Sequence, residues 1–429
     1  MTTQDSEAAL QDIRVLDLTN EMGVYCTKLL ADLGADVIRI ESFKGDQVRC
    51  RGPFFQDNVD SELSLFHFHF NANKRSITLN LENEDGQDIF RKLVKTTDVV
   101  VETFPPGYLA ELGLDYASLN RINSGLILAS ITGFGQDGPY SKYKAPDIVG
   151  VAMGGLMYMG GFPDEPPFYP GGFQGYHLAS TDAAIGILIA LHYRELTGEG
   201  QQVDVSMEES VSEAIEYATV LWDLRKVIRK RTGRHVFRDW NEIFPCKDGY
   251  IMCSPLGGAG WEAILAWMDN EGMAADLKEP LYQQVLKVMA WGQMDPAALP
   301  PDIDTDMLRK NPQIIEHIEE VWQAFLMTHT REELYKGCQE RNVRLMPINC
   351  AKDIVEDPQL VVREFLVDVE HPELGTTLKY PGGPYRLSGT PWKIRRRPPL
   401  IGEHNSVIYE KELGLSKQEL AILKAGGGI

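Results

Sequence analysis

The sequence predicts an α/β protein: a Rossmann-like, doubly wound large domain on a parallel sheet, followed by a smaller α+β domain. Three observations lead there. An apolar, β-branched run at residues 13–18, a helical pattern at 25–33 and another apolar run at 36–40 make a strand, a helix and a strand within about 30 residues. The strand signal returns at 98–102 and 126–131, with helix-like stretches such as 85–95 between strands, the alternation of a parallel sheet. Finally, 429 residues exceed what one ordinary core organises, so two domains are expected.

Each element follows in order. The turn after the first strand reads TNEMG (19–23) and lacks the GxGxxG spacing that brings backbone against a pyrophosphate, so dinucleotide binding is unsupported. A small-residue and methionine stretch at 154–161 and a Pro/Gly-rich loop at 163–172 feed an apolar-periodic helix at 178–194, which makes this junction a candidate site. A basic helix is expected at 225–234, a strand at 250–254 and a proline-dense loop at 295–302. The large domain is placed at 1–220 and the small one at 235–340, with 341–429 returning to pack on the first.

Composition excludes several classes. Hydrophobic residues at 43% and charged residues at 24% describe a globular chain, and the longest apolar stretches, such as 185–191, fall far short of the roughly 20 residues that span a bilayer. The polar, acidic start at 1–8 has no secretory pattern, so a cytoplasmic location is expected. A net charge of −20 argues against nucleic acid as a partner. The basic run 393–397 reads as a solvated loop pairing with acidic neighbours. Cys26, Cys50, Cys246, Cys253, Cys338 and Cys350 form no CxxC pair, which predicts reduced thiols and no metal site.

A set of motifs spans the chain in order: VLDLT with CTKLLADLGADVIRIES and GD (15–46), NANKRSITLNL (71–81), DVVVETFPPG (98–107), LGLDYASL (112–119) and SITGFGQDGPYSKY (130–143). AIGILIALHYRELTGEGQQVDVSM (184–207), DPQLVVREFL (357–366) and PLIGEHN (399–405) follow. Together they resemble the class III CoA-transferases, the family of formyl-CoA transferase and carnitine CoA-transferase. The resemblance implies two chains interlocked like linked rings, with CoA as a substrate and no cofactor. It also implies a carboxylate nucleophile: an aspartate attacks the donor thioester, forms a mixed anhydride, takes up CoA as an enzyme-bound thioester and passes it to an acceptor acid.

Counted from either flank, the family's aspartate falls on Tyr176. A phenol with an ordinary pKa near 10 does not replace a carboxylate in anhydride chemistry. No catalytic residue is therefore assigned. Asp182 and Asp147 are the substitutes considered; Asp182 lies six residues on, about 9 Å along a helix and about 240° around it. Its bland reading is a first-turn acid facing the helix dipole. Gln174 and His177 flank Tyr176, and Tyr169, Phe173 and Tyr176 would give a pocket an aromatic rim.

The CoA-facing positions implied by the resemblance are altered too. Ser42 and Glu82 stand where cations are usual, Thr103 and Pro105 replace the Asn and Arg of VENFRPG, Glu111 replaces an arginine, and the loop 20–24 is shortened where relatives read AGP. Each lost charged hydrogen bond costs roughly 1.5–3 kcal/mol. Lys74, Lys144 and Phe104 remain as CoA contacts. Gly257, Gly258 and Gly260 resemble the mobile glycine loop over the family's acyl intermediate, and read equally as a tight turn into a helix at 261–268.

The reading is a silent subunit paired with a homologous catalytic CoA-transferase chain, the complex taking an acyl-CoA such as succinyl-CoA and a carboxylic acid. Against it stand an active homodimeric acyl-CoA transferase or racemase with a displaced carboxylate, and a plain acyl-CoA-binding module.

Overall fold

A computed structural model describes residues 8–231, 235–237, 241–253, 260–291 and 312–429. They form two compact units. The first takes the described residues through Met157, then Tyr169–Arg229 and Asp357–Ile429; the second takes Tyr158–Phe168 and Lys230–Glu356.

The first unit is built on six parallel strands: β1 (Arg14–Leu18), β2 (Asp36–Glu41), β3 (Arg75–Thr78), β4 (Val99–Glu102), β5 (Ile127–Thr132) and β6 (Gln202–Ser206). Their order is β3-β2-β1-β4-β5-β6. The winding reverses between β1 and β4, so the loops leaving those strands diverge and open a crevice at their carboxyl ends. The strands β1, β2, β4 and β5 fall on predicted apolar runs. By contrast β3 and β6 were not predicted: β3 is only four residues, RSIT, and β6, QVDVS, is an edge strand with half its length toward solvent.

Helix α1 (Val24–Asp32) and the long α5 (Gln174–Thr197) cover one face, packing Cys26, Leu30, Ala179, Ala183 and Ile187 on Val15, Val99 and Ile127. Between them in sequence lie α2 (Leu65–Asn71), α3 (Glu84–Val94) and α4 (Asp147–Met153). On the other face Ile89, Phe90 and Leu93 of α3 pack with Ile408, Tyr409 and Leu415 from the C-terminal segment. That segment is bonded in: Tyr409 Oη donates to the Thr78 carbonyl at 2.6 Å, and Arg49 Nη2 to that of Pro399 at 2.9 Å. In the basic run, Arg397 pairs with Glu373 at 2.8 Å and Glu403 at 2.9 Å.

Beneath the crevice lies a buried ion network. Asp17, at the end of β1, accepts from Lys74 Nζ, Arg39 Nη1 and Thr27 Oγ1, each at 2.9 Å. Burial alone would raise the Asp17 carboxyl, but the Lys74 and Arg39 charges outweigh it and hold the group well below the usual range. Burial lowers the Lys74 ammonium to about 8 against the pull of Asp17. Alongside, Arg49 grips both oxygens of Glu41 at 2.7 and 2.9 Å.

The second unit has an antiparallel sheet of order β10-β9-β8-β7, from β7 (His235–Phe237), β8 (Asn241–Cys246), β9 (Gly249–Cys253) and β10 (Leu345–Pro347). Helices Gly260–Asn270, Pro312–Leu326 and Arg331–Glu340 bury Trp261, Trp322 and Phe325 with Phe244 of β8. The basic helix expected at 225–234 is corrected. The helix there, Glu216–Arg225, ends where that one was to begin, because Lys226 turns left-handed (φ 54°) and returns its N–H to the Trp222 carbonyl. The loop 295–302 lies outside the described residues, as do Gly257 and Gly258, while Gly260 opens its helix. No disulfide joins any of the six cysteines, and four of them are buried. Among the described residues no helix is long and apolar enough to cross a membrane.

Asp17→Asn would strand the buried Lys74 ammonium and take one of three carboxylates from Arg39, and breaking a buried pair costs about 3–5 kcal/mol. Urea unfolding should show a loss of that size with secondary structure retained at low denaturant; a loss below about 1 kcal/mol would mean the network is solvated.

Candidate functional site

The crevice is a cleft of about 680 Å³ at the carboxyl ends of β1 to β4, lined among others by Thr19, Asn20, Ser42, Lys44, Glu82 and Phe104. Gly23 lets its walls meet: a Cβ there would lie 2.8 Å from the Thr19 and Thr103 methyls. The structure thus gathers Ser42, Glu82, Thr103, Phe104 and Pro105, positions separated by up to 63 residues, onto one surface. Phe104 packs on Tyr108 with centroids 4.7 Å apart, and the Tyr108 phenol is raised by burial and by Glu82, to which it is hydrogen-bonded.

Two expected CoA contacts and one altered position lie elsewhere. Lys74 is fully buried, its ammonium occupied by Asp17, Thr27 at 2.7 Å and Asn71 at 3.0 Å, so it serves the ion network. Lys144 is exposed on the loop before α4, and neither it nor Glu111 lines the cleft. Sequence reasoning missed Lys44, a cation that lines the cleft two residues past Ser42 in ESFKGD. The lining carboxylates Glu41 and Asp46 are already paired, with Arg49 and Arg39 respectively.

It also missed Glu102, the acid closing the VVVE strand. The side chain is 4% exposed, accepts the Phe104 N–H at 2.6 Å and borders a second cavity of about 330 Å³ with Ser130, Gln136 and Gln202. Burial raises its carboxyl to about 7, against hydrogen bonds from Ser130 and Phe104 that lower it.

Tyr176 stands in the first turn of α5, which begins four residues before the predicted start. The residue ahead of the helix, Phe173, is left-handed (φ 55°) and supplies no side-chain cap. The cap comes from another helix: Asp147 Oδ1 accepts the Tyr176 N–H at 2.8 Å. Its Oδ2 accepts the Tyr169 hydroxyl, and the residue is 3% exposed. Asp147 is accordingly a buried strut between α4 and α5. Asp182 falls in the third turn of α5, not the first, so the dipole argument for it does not apply.

Around Tyr176, Phe173 stacks at 6.0 Å with an interplanar angle of 11°, and His177 meets Tyr25 at 5.0 Å. Burial raises the Tyr176 phenol, with the Glu21 and Asp147 carboxylates adding and Arg51 opposing. The group stays protonated at neutral pH. Glu21 and Arg51, both missed in the sequence, are bonded to each other through Nε at 2.6 Å and through Nη2. Their chain neighbours Asn20 and Cys50 line the cleft.

The comparisons with known proteins agree with this architecture. The sequence profile described as CoA-transferase family III matches residues 10–405. The chain belongs to CoA-transferase family III. It is 35% identical over 398 residues to succinyl-CoA:(R)-benzylsuccinate CoA-transferase subunit BbsE of Thauera aromatica, covering 92% of each. It is 36% identical over 425 residues to formyl-CoA:oxalate CoA-transferase of Streptomyces avermitilis, covering 98% of this chain and 99% of the relative. Among solved structures, a CAIB/BAIF family protein from Brucella suis superposes with a TM-score of 0.79 at 28% identity, covering 94% of this chain and 99% of that one. Within the family III fold, position 176 thus heads the long helix on the sheet, with a tyrosine there.

Glu102 gives a pH signature. Its carboxyl moves from 4.5 to about 7 on folding, so between those values the folded chain holds a proton that the unfolded chain has released. Its contribution is complete below pH 4.5 and is lost as pH rises through about 7. Glu102→Gln should remove about 3 kcal/mol of that decline, seen as a gain over wild type in urea unfolding at pH 8 that vanishes at pH 4.5. Equal differences at both pH values would contradict the shift.

Proposed function

We propose that this chain is the non-catalytic subunit of a class III CoA-transferase, paired with a homologous chain that carries the aspartate. The complex moves CoA from an acyl-CoA such as succinyl-CoA to a carboxylic acid, with benzylsuccinate the favoured acceptor; CoA is a substrate, and no cofactor is required. The observation that carries the reading is Tyr176, a half-buried phenol held protonated at the head of α5 where the family resemblance puts the nucleophile.

The neighbouring carboxylates support it. Both Asp147 oxygens are occupied, and Glu21 is bound to Arg51. A cleft with Lys44 as its lining cation, and with Glu82 added, suits the phosphates of CoA poorly. The outward face of α5 supports a partner. Ile185 (51%), Ile189 (63%) and Leu196 (74%) recur at helical spacing, with Leu188 beside them, and a helix apolar on both faces calls for cover. The name of the Thauera relative, a subunit acting on benzylsuccinate, supports the acceptor and the heteromer.

The test is to express the chain alone and with its nearest homologous chain, size both, and assay succinyl-CoA transfer to benzylsuccinate. Transfer is expected only from the complex, abolished by replacing the partner's aspartate and unchanged by Asp182→Ala here. Robust transfer by this chain alone would overturn the reading.

A further inference from the structure

Three arginines near the cleft differ in their exposure. Arg39 and Arg49 are at most 1% exposed and sit inside the ion network. Arg51 is 37% exposed, and its partner Glu21 19%. The guanidinium of Arg51 lies 4.7 Å from the Phe173 ring centroid and 5.6 Å from that of Phe66. Those rings meet edge to face at 6.0 Å, so two aromatic surfaces hold the fork independently of Glu21.

Phe173 adopts a left-handed conformation, which is unfavourable for a residue with a Cβ. Its ring contacts with Arg51, Phe66 and Tyr176 are what that geometry achieves. An ion pair that touches solvent is screened by it, so another carboxylate can exchange into the same fork. Glu21 and Arg51 also follow directly in the chain on Asn20 and Cys50, which line the cleft.

We propose that Arg51 is a carboxylate clamp for an aryl-substituted carboxylic acid, with Glu21 as the built-in carboxylate that occupies it until the acid arrives. Phe66, Phe173 and Tyr176 present their rings to the aryl group, and the acid's carboxylate takes both guanidinium N–H bonds. The choice of acid rests on the acceptor proposed above; the clamp itself rests on the geometry. A subunit without the nucleophile would in this way still sense or hold the acceptor.

The experiment is calorimetric titration of the full-length chain with benzylsuccinate and with succinate, without acyl-CoA. Benzylsuccinate should bind about tenfold more tightly than succinate, through the buried phenyl ring. Arg51→Lys should weaken benzylsuccinate by about tenfold or more, since an ammonium cannot supply the fork. Glu21→Gln should tighten it several-fold by vacating the guanidinium, a gain that a merely structural pair would not produce. Unchanged affinity in both variants, or a Glu21→Gln loss matching that of Arg51→Lys, overturns the clamp; should Arg51→Lys misfold, the sign of the Glu21→Gln change decides. Transfer by the complex is scored separately: acid binding without transfer sinks the subunit reading alone, and transfer with affinity indifferent to both substitutions sinks the clamp alone.

Discussion

The Asp17 carboxylate, buried at the end of β1 among Lys74, Arg39 and Thr27, is the interaction on which the rest of this unit depends. A charge with no solvent must be answered by charges and donors of the protein, and here they come from α1, β2 and the segment before β3. Meeting that requirement draws three chain segments to one point and sets the floor of the cleft. The neighbouring Glu41–Arg49 pair extends the floor to the C-terminal segment through Pro399. Cations that would otherwise be available to an anionic ligand are consumed in holding the sheet ends together.

A second constraint acts at the head of α5. A helix that starts on a left-handed phenylalanine has no cap of its own, so the exposed N–H groups of its first turn need an acceptor from elsewhere. Asp147 fills that role from α4 and binds Tyr169 with its other oxygen. One carboxylate thereby fixes the backbone at Tyr176 and the loop that brings Phe173 against Arg51. The same contacts that make Asp147 valuable to the fold engage both of its carboxylate oxygens. The capping of α5 and the occupancy of both Asp147 oxygens are in this sense one fact.

Legibility in the sequence tracks how far apart the deciding residues are. VVVE is buried along its whole length and reads as a central parallel strand, as do β1, β2 and β5. RSIT and QVDVS carry no comparable signal, because their pairing comes from neighbours in the sheet. The altered positions Ser42, Glu82, Thr103 and Pro105 were legible singly, through the motifs around them. Glu21, Arg51, Lys44 and Glu102 were not, for nothing in their own sequence neighbourhoods marks them. Lys74 misled for the same reason: a lysine in NANKRS looks available until its four-sided burial is seen.

What the sequence by itself determined is the α/β class, the family, and the tyrosine at position 176, because these depend on periodicity and on motifs whose residues are adjacent in the chain. Only the tertiary structure decided which charges are free and which are spent. Whether an acid or a base can meet a ligand depends on burial and on partners tens or hundreds of residues away, as Arg49 and Pro399 show across 350 positions. Those are distances that no local pattern encodes.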